Sequence, residues 1–311
     1  MAKWSAADIP DQTGTTVLIT GANSGLGLRS AEALAAKGAT VLMACRNAAK
    51  AATARASVAA VAAGPDPEVV ALDLASLTSV RECAAALEER LGHLDVLMNN
   101  AGIMAVPRRL TVDGFESQLG TNHLGHFALT GLLLPTLLAA PEPRVVTVSS
   151  NAHKFGRLQL DDLFFERGRY SRWRAYGQSK LANLLFSSEL QRRAAVARTA
   201  LTSVAAHPGY AATNLTTGPA IGAALLKPFL AIGDKLVGQP DHMGALPQLY
   251  AATMPDVLAD DYWGPDAFRE QRGHPTRVGR TARALDQDAA GHLWARSEEL
   301  TGVTYPWPDP T

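Results

Sequence analysis

Tyr176 and Lys180 lie four positions apart in a stretch rich in Ala, Leu and Ser. On a helix that spacing puts both side chains on one face. A phenol ordinarily titrates near 10, too high for an efficient proton donor and acceptor at neutral pH. A neighbouring ammonium lowers that value, and two to three units correspond to about 3–4 kcal/mol. Of the six tyrosines, only Tyr176 has a lysine at the fourth following position. Upstream, the pair Ser149-Ser150 offers a hydroxyl able to hydrogen-bond a substrate oxygen and to stabilise charge developing on it. These residue types suit exchange of a proton at an oxygen.

A second group of residues suits a dinucleotide. Thr20-Gly21-Ala22-Asn23-Ser24-Gly25-Leu26-Gly27 follows an apolar run and opens a helical one. Glycines there permit a tight turn and let backbone approach a pyrophosphate seated on the helix N-terminus. The next apolar run ends in Cys45-Arg46-Asn47, and no Asp or Glu occurs between Glu32 and Asp66. An acid at this point would bind a ribose 2′-hydroxyl; Arg46 is instead suited to a 2′-phosphate, with Asn47 beside it as a further expected cofactor contact. A charge-assisted contact of roughly 2 kcal/mol favours NADP(H) over NAD(H) by about thirtyfold. Asp73-Leu74 follows the third run, where the acid would accept from an adenine amine or cap the next turn. Asn99-Asn100-Ala101-Gly102 follows the fourth, with small residues that let backbone lie against a cofactor. His123, His126, His153 and His207 have no carboxylate or thiol at ligand spacing, so no metal is expected.

The elements that must position these residues alternate. Strands are expected at 15–20, 40–44, 69–73, 94–98, 144–149 and 201–206, mostly continuous apolar runs typical of strands covered on both faces. Helices are expected at 26–37, 48–63, 79–91, 115–138 and 176–197. That order predicts an α/β fold, a doubly wound parallel sheet with helices on both faces, in one domain over 1–311. A C-terminal extension should be helical from Leu293-Trp294 to Leu300, then extended, with Tyr305 and Trp307 as aromatic anchors.

Composition narrows the partners. The chain has 29 basic and 29 acidic residues and no basic block, which disfavours nucleic acid and anionic membrane surfaces. The most apolar stretches, 129–140 and 219–233, are too short or too interrupted to span a membrane. The first residues lack the apolar run of a signal peptide, and the two cysteines, Cys45 and Cys83, fall in a strand end and a helix. A cytoplasmic location is the expectation.

Together, TGANSGLG, NNAG, Ser149-Ser150, Tyr176-Gly177-Gln178-Ser179-Lys180 and His207-Pro208-Gly209 resemble, in that order, the motifs of the classical short-chain dehydrogenase/reductase family. The resemblance covers roughly 14–215. Thr121-Asn122-His123-Leu124-Gly125-His126-Phe127 and YGQSKLAN look most like the branch holding retinol dehydrogenases and protochlorophyllide-reductase-like proteins. It implies a Rossmann-type fold with a cofactor half at about 14–150 and a catalytic and substrate half at about 150–311. It also implies hydride transfer between a nicotinamide and a carbonyl or carbinol carbon. Tyr176 would be the acid/base, helped by the nicotinamide cation in lowering its pKa, and Ser150 rather than Ser149 would orient the oxygen. Lys180 would bind the nicotinamide ribose and tune Tyr176. Asn122 would help hold a water linking Lys180 to solvent. Pro208, Gly209 and Thr213 resemble the segment that meets the nicotinamide.

Two features lie outside the common pattern. Ser150 and Tyr176 are 26 positions apart, about twice the spacing in the smallest members, and the insertion carries Phe155, Phe164, Phe165, Tyr170 and Trp173. It would shape the pocket mouth, meet another subunit or form a plain surface excursion. The family's variable substrate loop, about 210–245, is apolar here (Ala220, Ile221, Leu225, Leu226, Phe229, Leu230, Ile232), which points to a lipophilic or bulky ketone, aldehyde or alcohol. The same fold also serves epimerases, dehydratases, C=C reductases and non-catalytic NADP-binding regulators, which product analysis would separate. Helices at 115–138 and 176–197 build interfaces in the family, leaving a homo-oligomer open.

Overall fold

The computed structural model describes residues 3–210 and 239–309. Among them runs an eight-stranded sheet in the order β3-β2-β1-β4-β5-β6-β7-β8. Its strands are β1 (Thr16–Thr20), β2 (Thr40–Cys45), β3 (Glu68–Ala71), β4 (Val96–Asn99), β5 (Arg144–Val148), β6 (Thr202–Ala206), β7 (Tyr262–Ala267) and β8 (Arg272–Arg277). Every pairing is parallel except β7 with β8. The chain reverses its order of strand addition between β1 and β4, which opens a crevice at the carboxyl ends of those strands.

The continuous apolar strands do face two layers. Val17 and Ile19 of β1 belong to one core with Val41, Met43, Ala51 and Leu249, whereas Leu18 between them joins Leu42, Leu97, Phe127 and Phe186. On the first face lie α1 (Gly25–Ala35) and α2 (Ala48–Ala59). Asn47 accepts the Lys50 N–H at 2.9 Å and so caps α2. The other face carries α3 (Leu77–Glu88), capped by Ser76.

One expected helix is broken. The stretch 115–138 folds as α4 (Ser117–Leu119), a π-helical turn (Gly120–Leu124), α5 (Gly125–Leu132) and α6 (Leu134–Leu138). Pro135 has no N–H to continue the ladder, so the chain restarts after Leu133. The next long helix, α7 (Arg172–Val196), begins one turn before its expected start. Beyond β6 come α8 (Asp241–Gly244), α9 (Leu246–Thr253), the β7–β8 hairpin and α10 (Gln287–Thr301). Asp286 caps α10, and Gly302, at φ +62°, ends it.

The C-terminal extension packs through its aromatics on the outer helices. Trp294 is buried against Phe127, Phe186 and Tyr305, and Tyr305 donates its hydroxyl to the Phe127 carbonyl at 2.7 Å. The chain's own α10 thus packs against α5 and α7. Cys45 and Cys83 are buried and unpaired. No described helix is long and apolar enough to cross a membrane.

Candidate active site

The Gly-rich turn leaves β1 at Thr20 and enters α1 at Gly25. Gly21 adopts φ +69°, and a side chain at Gly27 would begin 2.5 Å from the Gly21 carbonyl oxygen. Both glycines are therefore demanded by the turn itself. Ser24, the N-cap of α1, makes no side-chain cap hydrogen bond, so the opening amides of the helix remain for an anion. Thr20 Oγ1 accepts the N–H groups of Asn100 and Ala101 at 3.0 and 2.9 Å, and Asn100 Nδ2 donates to the Thr20 carbonyl at 2.7 Å. Those bonds hold the turns after β1 and β4 side by side as the floor of one groove.

That groove encloses about 310 Å³. The expected residues Gly21, Asn23, Ser24, Gly25, Leu26 and Gly27 line it, as do Arg46, Asp73, Leu74, Asn100, Ala101 and Gly102. Ala44, Leu72, Ile103 and Thr121 also line it; their apolar or generic character carried no signal beyond their place next to the motifs. Asn47 stands apart, committed to the α2 cap. Asp73 adopts the capping arrangement, accepting the Ala75 N–H at 3.0 Å, while its Oδ1 lies 3.8 Å from Arg46 Nη1. The Arg46 side chain is 71% exposed beside the groove.

At the chemical end, the two serines part company. Ser149 is buried and donates to the Lys180 carbonyl at 2.8 Å, which ties β5 to α7. Ser150 begins the 3-10 turn Asn151–Phe155, accepting the Ala152 N–H at 3.2 Å, and its hydroxyl acts on the Tyr176 phenol. Tyr176 lies buried on the second turn of α7, with Lys180 Nζ 5.8 Å from its ring centroid. Lys180 donates to the Val148 carbonyl at 3.1 Å, a carbonyl that also accepts Asn183 Nδ2 at 3.0 Å.

The electrostatics correct one expectation. The phenol of Tyr176 is not lowered within the protein by itself; burial raises it above 10, and the Ser150 hydrogen bond opposes that rise. Burial also pushes Lys180 down to about 8. Each group is thus biased to its neutral form, because desolvation acts on both and no carboxylate is among the groups that shift either pKa.

Asn122 joins the two ends. Located in the π-helical turn, it accepts the Ile103 N–H at 2.8 Å and donates from Nδ2 to the Ile103 carbonyl at 3.0 Å and to Ser179 Oγ at 2.9 Å. A Cβ placed on Gly102 would lie 3.2 Å from Asn122 Oδ1 and 3.5 Å from Lys180 Nζ. The Asn122 carbonyl meets His126 Nδ1 at 3.0 Å, and His126 Nε2 meets Thr20 Oγ1 at 2.9 Å. Burial lowers His126 to about 4 and His123 to about 3, so both are neutral struts near pH 7. Among the described residues no three His, Cys, Asp or Glu side chains come together in a way that could hold a metal.

Pro208 and Gly209 follow β6 but do not line the groove. Gly209 adopts φ +67°, and a Cβ there would lie 2.3 Å from the Gln271 carbonyl oxygen. The Pro208 carbonyl accepts Gln239 Nε2 at 2.7 Å. Thr213 and the apolar residues from Ala220 to Ile232 fall outside the described residues.

The insertion packs on the segment 103–119. Phe164 meets Phe115, and Phe165 is buried. The Tyr170 hydroxyl accepts Gln118 Nε2 at 2.9 Å and lies 3.1 Å from Glu116 Oε1 and from the Val106 carbonyl. Burial and Glu116 raise its pKa, and with its partners in place it braces the insertion. Two aromatics of the insertion, Phe155 and Trp173, remain half exposed. The Trp173 ring centroid is 6.2 Å from that of Tyr176, and Phe155 packs so closely on Gly177 that a Cβ there would start 2.8 Å from it.

The model for short chain dehydrogenases matches residues 15–220. Human retinol dehydrogenase 13 is 38% identical over 309 residues, covering 97% of this chain and 88% of that protein. Human polyprenol dehydrogenase is 36% identical, covering 94% and 87%. An uncharacterized protein from Mycobacterium paratuberculosis, known by crystal structure, is 49% identical with a TM-score of 0.82, covering 98% of this chain and 100% of that one.

Proposed function

The chain belongs to the short-chain dehydrogenase family, and from that premise we propose that it is an NADP(H)-dependent oxidoreductase acting on a lipophilic carbonyl or alcohol. The observation that carries this reading is the meeting of Tyr176, Lys180, Asn122 and Gly102 at the edge of a glycine-floored groove. The groove fits the dinucleotide: its α1 amides are uncapped for a pyrophosphate, and a side chain at Gly21 would crowd Ala101 at 3.0 Å. Bound there, NADP(H) would supply or accept the hydride. Arg46 would hold the 2′-phosphate, with Asp73 keeping the guanidinium at the groove's rim.

The chain's own residues would manage the oxygen. Ser150, free of the β5–α7 tie that holds Ser149, would hydrogen-bond it, and Tyr176 would exchange its proton. Lys180 would meet the nicotinamide ribose and favour the phenolate. Asn122, fixed through Ile103 and Ser179, would carry a water between Lys180 and solvent. Pro208, Gly209 and Thr213 would face the nicotinamide end. Three features support a lipophilic substrate: the half-exposed Trp173 beside Tyr176, with Phe155 on Gly177; the apolar composition of 220–232; and the retinol and polyprenol dehydrogenases among the relatives.

The cofactor assignment is tested by Arg46→Ala. The KM for NADPH should rise about thirtyfold while that for NADH changes less than threefold. Steady-state rates with each cofactor measure this, and equal shifts would remove Arg46 from the 2′-phosphate.

A further inference from the structure

Between β7 and β8, three consecutive residues that are not glycine, Phe268, Arg269 and Glu270, adopt φ of 51°, 55° and 64°. L-residues enter this left-handed region singly and at a cost, and a run of three persists only where surrounding contacts impose it. Here those contacts lead to two segments of the site. The Glu270 carbonyl accepts Asn151 Nδ2 at 3.0 Å, directly after Ser150. Its carboxylate takes Lys154 Nζ at 2.8 Å, from the 3-10 turn that Ser150 begins, and lies 3.4 Å from His207 Nε2, directly before Pro208. His207 accepts the Gly209 N–H on Nδ1 at 3.1 Å, so a neutral ring carries its proton on Nε2, the nitrogen nearest the carboxylate, though outside hydrogen-bond geometry. The Gln271 carbonyl accepts the Tyr210 N–H at 2.7 Å and closes on Gly209.

We propose that Glu270 is a positioning residue: held out by this left-handed turn, it ties the segment after Ser150 to His207-Pro208-Gly209 and so places the wall that receives the nicotinamide half of the cofactor. The inference rests on the reading that Pro208 and Gly209 face the nicotinamide. His207 and Lys154 hold the Glu270 carboxyl down at about 2, so the tie is ionised across the working pH range.

The test is calorimetric binding of NADPH and of 2′-phospho-ADP-ribose, which lacks the nicotinamide, to the full-length wild type and to variants. NADPH has an uncharged nicotinamide ring, so loss of the carboxylate cannot act through direct attraction. The wild type should bind NADPH the more tightly. Glu270→Ala should weaken NADPH at least tenfold and leave the fragment within threefold, with Glu270→Gln between. Arg269→Gly, which relieves the backbone but keeps Glu270, should leave both affinities within threefold. A smaller NADPH effect in Glu270→Ala, or parallel loss of both ligands, would overturn the positioning role. Wild type that binds neither ligand would remove the cofactor reading itself, and the inference with it.

Discussion

Tyr176→Phe should lower kcat at least about a thousandfold, within the range of general acid–base catalysis, while the affinity for NADPH stays within about threefold. The separation follows from placement. Tyr176 lies on α7 beside Ser150, outside the residues that line the groove, so removing its hydroxyl removes a proton donor without touching the floor. The phenol is buried, and replacing it with phenylalanine keeps the ring and removes one hydroxyl, a change of about 1 kcal/mol, too little to unfold the chain. Stopped-flow turnover with fluorescence titration of NADPH reads both quantities. Residual kcat within tenfold of wild type would show that another group exchanges the proton.

Lys180→Met should act in opposite directions on activity and stability. Turnover should fall at least a hundredfold, because the phenol loses its cationic neighbour. Stability should rise by about 3 kcal/mol at pH 7, since burial holds the Lys180 ammonium at about 8 against 10.5 for an exposed lysine. The sign is set by that depression: the folded state disfavours the charged form. The cost is fully present below pH 8, shrinks as pH rises through 8, and is gone above 10.5. Methionine fills similar volume, and Asn183 still satisfies the Val148 carbonyl. Urea unfolding at pH 7 and pH 10 should therefore show a gap between variant and wild type that is wide at the first and narrow at the second. A destabilised variant, or a gap that widens with pH, would contradict it.

The parts of the site visible from residue types are those where chemistry dictates type and spacing together. Tyr176 and Lys180 need one helix face, and the 20–27 turn needs glycine at fixed steps, so local sequence carries both. Asn47 and Asp73 were ambiguous for a physical reason: the side chains that bind ligands also cap helices and turns, and both make caps here. The direction of the Tyr176 shift depends on burial, which spacing alone does not report. Glu270 was invisible, because its links to Asn151 and Lys154 span 119 and 116 positions.

Elements followed the same division. Continuous apolar runs mark β1 to β6, but β7 contains Gly264 and Pro265, and β8 contains Gly273 and Pro275. Proline is tolerated there because β8 is the sheet's edge and β6 pairs with β7 only at Tyr262 and Trp263, before Pro265. The π-helical turn holding Asn122 leaves the 3.6-residue pattern nearly unchanged, so a single long helix was the natural reading. That turn brings Asn122 close to Gly102, near Lys180.

The most direct test of the reaction follows the hydride itself. NADPH carrying deuterium at the transferable nicotinamide position is incubated with the wild-type protein and a panel of long-chain and ring-bearing aldehydes and ketones, and the products are analysed by mass spectrometry. One deuterium is expected on the carbinol carbon of a lipophilic alcohol, with small polar carbonyls poorly converted. Deuterium on the carbon β to an intact carbonyl, an unlabelled isomer, or bound NADPH that is never consumed would contradict it.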